Sequence, residues 1–240
     1  MIKLRNIIFL MTAFTIASVM GFSEDMGKIV KYSEQIIPKS GDDAVISITV
    51  EGETNEAGIL YLPFYEKCEL TGLNVVKGSL ENNTGIEKNV YGKKCIEYKF
   101  TDKNASVSIE QEYLLKGLYK GKKAKMKYSY PGGVVTVSYL FSNNTPVSVN
   151  KYSLAFSIPK GAELYGVLSP SKSKYYNVSV NDGYKTVFVS NKKINSGDDY
   201  KVSVNIYKQP TMLKIVIWIS VLAMALFMLY KRKDIIKKEN

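Results

Sequence analysis

The sequence predicts a mainly β protein, with an antiparallel sandwich body in two modules and one C-terminal transmembrane helix. Three observations carry that prediction. From Glu24 to Pro210 apolar residues recur with period two, in short runs of Val, Ile, Tyr, Phe and Thr punctuated by Gly, Asn, Asp and Pro. From Ile215 to Tyr230 no residue is charged, and five of the next eight are Lys or Arg. The first residues have the charge-then-apolar order of an export signal.

In chain order, Lys3 and Arg5 precede an apolar stretch from Ile7 to Met20, and Gly21 and Ser23 are small residues suited to a cut before Glu24. Residues 1–23 are therefore expected to be a signal peptide; left uncut, the stretch would serve as a second anchor. Strands are expected at 44–50, 58–62, 94–100, 106–112, 123–130, 134–141, 151–158, 164–168, 175–180, 184–190 and 200–207. The alternation is plainest in the last, where Val202, Val204 and Ile206 face one way and Lys201, Ser203 and Asn205 the other. Asn181-Asp182-Gly183 is tight-hairpin chemistry between two of these strands. Tyr130-Pro131-Gly132-Gly133 is the expected break between modules 24–130 and 131–210, unless those residues are themselves a hairpin turn within one large sandwich.

The second module carries Val135-Thr136-Val137-Ser138-Tyr139, then Ser142-Asn143-Asn144-Thr145-Pro146-Val147, then Tyr152 to Ala162 with Ile158-Pro159 inside it. A strand, an Asn-rich turn and a second strand ending in Ile-Pro resembles the immunoglobulin-like and fibronectin-like modules of microbial surface proteins. The resemblance implies a sandwich fold and carries no functional residue across. The immunoglobulin Cys, Trp, Cys spacing is missing, because the only Trp, Trp218, lies in the C-terminal apolar run.

Residues 211–230 are expected to span a membrane, since the 19 residues from Met212 to Tyr230 rise about 28 Å as a helix, close to a hydrocarbon core of about 30 Å. The basic tail 231–240 then stays in the cytoplasm and the body is displayed outside it. Of the formal charge of +11, +2 lies in the N-terminal segment and +4 from Lys214 onward. Much of the basicity is thus topogenic, and an exported body of this kind is not expected to meet nucleic acid.

Cys68 and Cys95 are the only cysteines. In an oxidising compartment they are expected to form a disulfide, and in a reducing envelope two free thiols. The chain has no histidine, which excludes His-based triads and imidazole general bases, and no cofactor or metal site is expected. Ser169 with Lys172, and Ser171 with Lys174, match a Ser-x-x-Lys pattern but fall in a polar turn with no Lys-Thr-Gly to accompany them. Glu110 and Glu112 project from one face of an expected strand at a spacing a glycosidase could use, but the expected reading is a solvated strand face. Asp42-Asp43 and Asp198-Asp199 are expected turn residues.

Lys116, Lys120, Lys122, Lys123, Lys125 and Lys127 form the sharpest local charge bias outside the two ends. They suit contact with a polyanionic envelope polymer, although the favoured reading is a solvated strand edge that uses lysines to block aggregation. Tyrosine, at 18 copies, serves binding surfaces and strand faces alike. The expected function is a non-catalytic binding or scaffolding module of the cell envelope, an integral membrane protein contacting an envelope polymer or another membrane protein. The alternatives are an accessory subunit of a larger membrane complex and, behind it, a carboxylate- or serine-based hydrolase.

Overall fold

In the computed structural model, residues 25–124, 133–208 and 211–238 are described. The expected signal peptide and the 130/131 break lie outside them. The described residues form β1 (Lys28–Pro38), β2 (Ala44–Glu53), β3 (Ile59–Pro63), β4 (Cys68–Lys77), β5 (Ile86–Val90), β6 (Lys93–Lys99) and β7 (Ser106–Leu115). They continue with β8 (Lys122–Lys123), β9 (Val134–Ser142), β10 (Val149–Ser157), β11 (Ala162–Ser169), β12 (Asn177–Asn181), β13 (Tyr184–Ile194) and β14 (Asp199–Lys208). A helix, α1, runs Thr211–Lys238.

The strands assemble into a seven-stranded sheet in the order β12-β13-β10-β1-β2-β7-β4, a four-stranded sheet β11-β14-β9-β8 and a three-stranded sheet β3-β6-β5. The mainly β expectation holds. One feature of the architecture is corrected: the large sheet is mixed, because β1 pairs antiparallel with β2 but parallel with β10, Tyr32 opposite Tyr152 and Ile36 opposite Phe156. Strands from both sides of the 130/131 break therefore share one sheet. Parallel neighbours need a long crossover between them, so this ladder joins the first described strand to one far along the chain.

Alternation decides which side chains meet in the middle. On β1 the register shifts between Ile29 and Lys31, and this bulge changes the phase so that Ile29, Tyr32, Glu34 and Ile36 are all buried while Lys31 is exposed. Ile46, Ile48 and Val50 of β2 and Val107 and Ile109 of β7 continue the same face. They join one core cluster with Val137 and Phe141 of β9, Val202, Val204 and Ile206 of β14, and Leu60, Leu62 and Tyr98 of the small sheet. Each such fully buried side chain contributes about 1.5–3 kcal/mol.

Along α1 the side chains from Ile215 to Tyr230 are exposed, Trp218 at 72%. Ser220, whose hydroxyl lies in the middle of that run, donates to the carbonyl of Val216 at 2.9 Å. Taken over the described residues, no helix is long and apolar enough to cross a membrane.

Candidate functional site

Period two sends Glu34 inward with Tyr32 and Ile36, so a carboxyl arrives at the centre of the core with 3% exposure. Such a group costs several kcal/mol unless donors meet it. Three tyrosines do. Tyr139 of β9 donates to Oε1 at 2.9 Å and Tyr152 of β10 to Oε2 at 2.5 Å, while Tyr65, from the loop after β3, donates to Oε1 in a very short contact. Because the Tyr65 proton is spent on Glu34, Tyr32 donates to the Tyr65 oxygen at 2.9 Å. The rings pack as a group, with Phe141 and Tyr152 stacked at 4.4 Å between centroids, and Tyr32 5.2 Å from Phe141.

Burial raises the Glu34 carboxyl from 4.5 to about 7, against the lowering effect of the three tyrosine donors. Burial likewise pushes Tyr65, Tyr139 and Tyr152 well above 10, and the Glu34 charge adds to the shift. The carboxyl thus titrates near neutrality while its donors remain protonated. It fastens β1 to β9, β10 and the loop after β3, a joint between the two larger sheets and the small one.

Over this joint lies a cleft of about 490 Å³, lined by Phe64, Tyr65, Cys68, Leu118, Tyr139 and Leu140 among others. Tyr65 and Tyr139 are therefore shared, with one end in the cleft wall and the hydroxyl on Glu34. Asn144 clamps the loop by accepting from the Phe64 N–H and donating to its carbonyl, both at 2.9 Å. On the far side of the same loop a second hollow, of about 360 Å³, is lined by Tyr65, Cys68, Leu70, Ile96, Tyr98 and Tyr113 among others. The buried Tyr113 hydroxyl finds no partner among the described residues.

The residues singled out from the sequence are dispersed. Cys68 lies on β4 of the large sheet and Cys95 on β6 of the small one, and both are free thiols, so the expected disulfide is not formed. Burial raises each to about 11, with Glu34 adding at Cys68 and Glu97 at Cys95. Little thiolate is then present to oxidise. Glu110 and Glu112 stand on the exposed face of β7, where Asn74 donates to Glu110 at 3.1 Å. Ser169 donates to the Lys201 carbonyl at 2.8 Å, and Lys174 sits over the Tyr175 ring at 5.1 Å, so each Ser-x-x-Lys pair has one member engaged elsewhere. Asp198 accepts from Asn195 as a turn residue does, Asp43 accepts from the N–H of the distant Gly117, and Asp199, expected in the turn, instead opens β14.

Of the lysine cluster, Lys125 and Lys127 lie outside the described residues. Lys116 reaches Glu69 at 3.9 Å, and Lys122 and Lys123 make up β8 at the end of the four-stranded sheet. Lys120 ends a short 3-10 turn, Leu118–Lys120, whose buried Tyr119 donates to the Ser157 carbonyl at 2.5 Å. Sequence reasoning missed Glu34 and Tyr65. The available signal was the register Tyr32-x-Glu34-x-Ile36, which forces a carboxylate to share a face with core residues.

No protein-family model and no curated protein matches the sequence. Among solved structures, leukotriene A4 hydrolase from Saccharomyces cerevisiae is similar at 9% identity and a TM-score of 0.45, over 76% of this chain and 30% of that one. A putative protease from Parabacteroides distasonis ATCC 8503 is similar at 12% identity and 0.41, over 78% and 41%. An M1 zinc metallopeptidase from Deinococcus radiodurans is similar at 8% and 0.35, over 75% and 42%. The chain spans less than half the length of each. Likeness of this degree assigns no activity.

Proposed function

We propose that this chain is an integral membrane protein that holds its β body outside the cytoplasm, as a non-catalytic binding or scaffolding module of the cell envelope. The observation that carries the reading is α1. Its exposed side chains from Ile215 to Tyr230 are uncharged and mostly apolar on every face: the Ser220 hydroxyl is satisfied within the helix, and the amphipathic rings of Trp218 and Tyr230 carry the other polar groups. A helix apolar all round needs an apolar medium, and the backbone continues as helix through the basic residues that follow. In the sequence Met212 and Leu213 precede the single charge Lys214, so 212–230 is a 19-residue stretch with one charge near its outer end, close to the roughly 20 residues a bilayer asks for.

The cleft over Glu34 is the natural place for a partner on the displayed body. Its aromatic wall is held by buried hydrogen bonds, which keeps a binding surface in shape before the partner arrives. Lys67 is in its wall, and Lys116 directly follows Leu115 of the same wall, so an anionic envelope polymer entering the cleft would find cations at its rim. The layered packing of the sheets around one core supports a sandwich-type scaffold that presents loops.

The test is extraction of the full chain from its own membranes. The expected result is retention in the pellet at alkaline pH, release by detergent, and loss of retention in Val221→Lys/Leu222→Lys. Recovery of the unaltered chain in the soluble fraction would overturn the anchor. Polymer contact is read separately, by co-sedimentation of the detergent-solubilised chain with anionic wall polymer, and should weaken when Lys116, Lys120, Lys122 and Lys123 are changed to Glu.

A further inference from the structure

A sheet edge exposes unpaired N–H and C=O groups, and proteins guard such edges with charge, proline, bulges or brevity. Five of the six edges among the described sheets are guarded. β4 carries Glu69, Lys77 and two register shifts, and β11 carries Glu163 and two register shifts. β8 is two lysines, β3 ends in Pro63, and β5 carries Glu87 and Lys88. β12 has none of these. It is Asn177-Val178-Ser179-Val180-Asn181, in unbroken register with β13 and at the free end of the largest sheet, with Val178 40% and Val180 71% exposed.

The edge also has a direction. Asp182 and Gly183, at φ 50° and 77°, form the two-residue turn that closes on the pair Asn181 and Tyr184. In such a hairpin the closing pair exchanges both its hydrogen bonds, and the pattern then alternates. Asn181, Ser179 and Asn177 therefore bond to β13, while the backbone groups of Val180 and Val178 point outward.

The segment is a palindrome. Laid antiparallel on a copy of itself about Ser179, it puts Val178 opposite Val180 of the second copy, and Val180 opposite Val178, with each pair exchanging both hydrogen bonds. Asn177 then meets Asn181. The acidic end at Asp182 comes to the end of the other strand that carries Lys174 in the turn Ser173–Tyr175. This is the self-complementarity a two-fold interface requires. We propose that β12 is a self-docking edge, through which two copies of this chain join their seven-stranded sheets antiparallel about Ser179.

At the two-fold axis Ser179 faces itself as a non-hydrogen-bonded pair, with Cα atoms about 4.5 Å apart, within the range of a disulfide. The experiment is mild oxidation of full-length Ser179→Cys in its membranes and in detergent micelles, with the unaltered chain as baseline. A cross-linked species at twice the chain mass is expected in both. Adding Val178→Lys/Val180→Lys sets like charges directly opposite, and the cross-linked fraction should fall about tenfold. The exposed valines leave the fold intact, which far-UV circular dichroism verifies. A Ser179→Cys chain that stays at monomer mass, a link indifferent to the lysines, or a link to a protein of another mass would each overturn the proposal.

Discussion

Glu34 and the pair Glu110–Glu112 are the same side chain on strands of one sheet, and they live in different solvents. Across the ladder Glu34 is opposite Ile48, and Ile48 is opposite Gln111, so the residue between the two surface glutamates is the one that shares Glu34's face. One step along the pleat separates a carboxylate in water from a carboxyl at the centre of the core. The face, set by the register, decides what the group does: Glu110 and Glu112 keep the sheet surface wet, while Glu34 with three tyrosines closes the joint between sheets.

The largest expected effect comes from breaking the buried member. Glu34→Ala leaves the hydroxyls of Tyr65, Tyr139 and Tyr152 without their acceptor and opens a cavity beneath the cleft. Each unsatisfied buried donor costs about 1–3 kcal/mol, and a lost core side chain adds to that, so a destabilisation of about 4 kcal/mol is expected. Urea unfolding of the full chain in micelles, followed by far-UV circular dichroism, measures it. A loss under about 1 kcal/mol would mean that the tyrosines find other partners and the joint is not one.

The next effect depends on pH. The folded carboxyl titrates at about 7 against 4.5 when exposed, so between those values the folded state binds the extra proton. Stability tied to Glu34 is therefore full below about pH 4.5 and is lost as pH rises through 7, by about 3 kcal/mol in all. Glu34→Gln removes the titration and keeps the shape, so the difference in unfolding free energy between the two chains should move by that amount across the window. A constant difference, or one that grows in the opposite direction, would show that Glu34 stays ionised in the folded state.

What the sequence showed, and what it hid, follows the same distinction. β14 was legible because Val202, Val204 and Ile206 alternate cleanly with Lys201, Ser203 and Asn205. The hairpin at Asp182-Gly183 was legible because that dipeptide supplies the positive φ its turn needs. β1, the strand at the middle of the large sheet, was not anticipated. Its bulge at Ile29 and Lys31 breaks the period, and Glu34 stands where an apolar residue would have completed the pattern. β4 escaped for the opposite reason: it is an exposed edge around Gly72, with no one-sided burial to leave a trace. The parallel ladder between β1 and β10 pairs Ser33 with Ser153, 120 positions apart in the chain, and local periodicity holds no record of such a partner. The cysteines were countable, but their division between two sheets was not.

The smallest effect sharpens the comparison from its other side. Glu110 and Glu112 are exposed, and the carboxylate of Glu110 accepts a hydrogen bond from Asn74 at 3.1 Å on the open face of the sheet. Water replaces such a contact at little cost, and exposed substitutions away from the core change stability by less than about 0.5 kcal/mol. Glu110→Gln/Glu112→Gln should therefore unfold at the urea concentration of the unaltered chain. If the double substitution instead lowers the unfolding midpoint as far as Glu34→Ala does, the surface pair is as structural as the buried carboxyl, and the contrast between the two faces of the sheet fails.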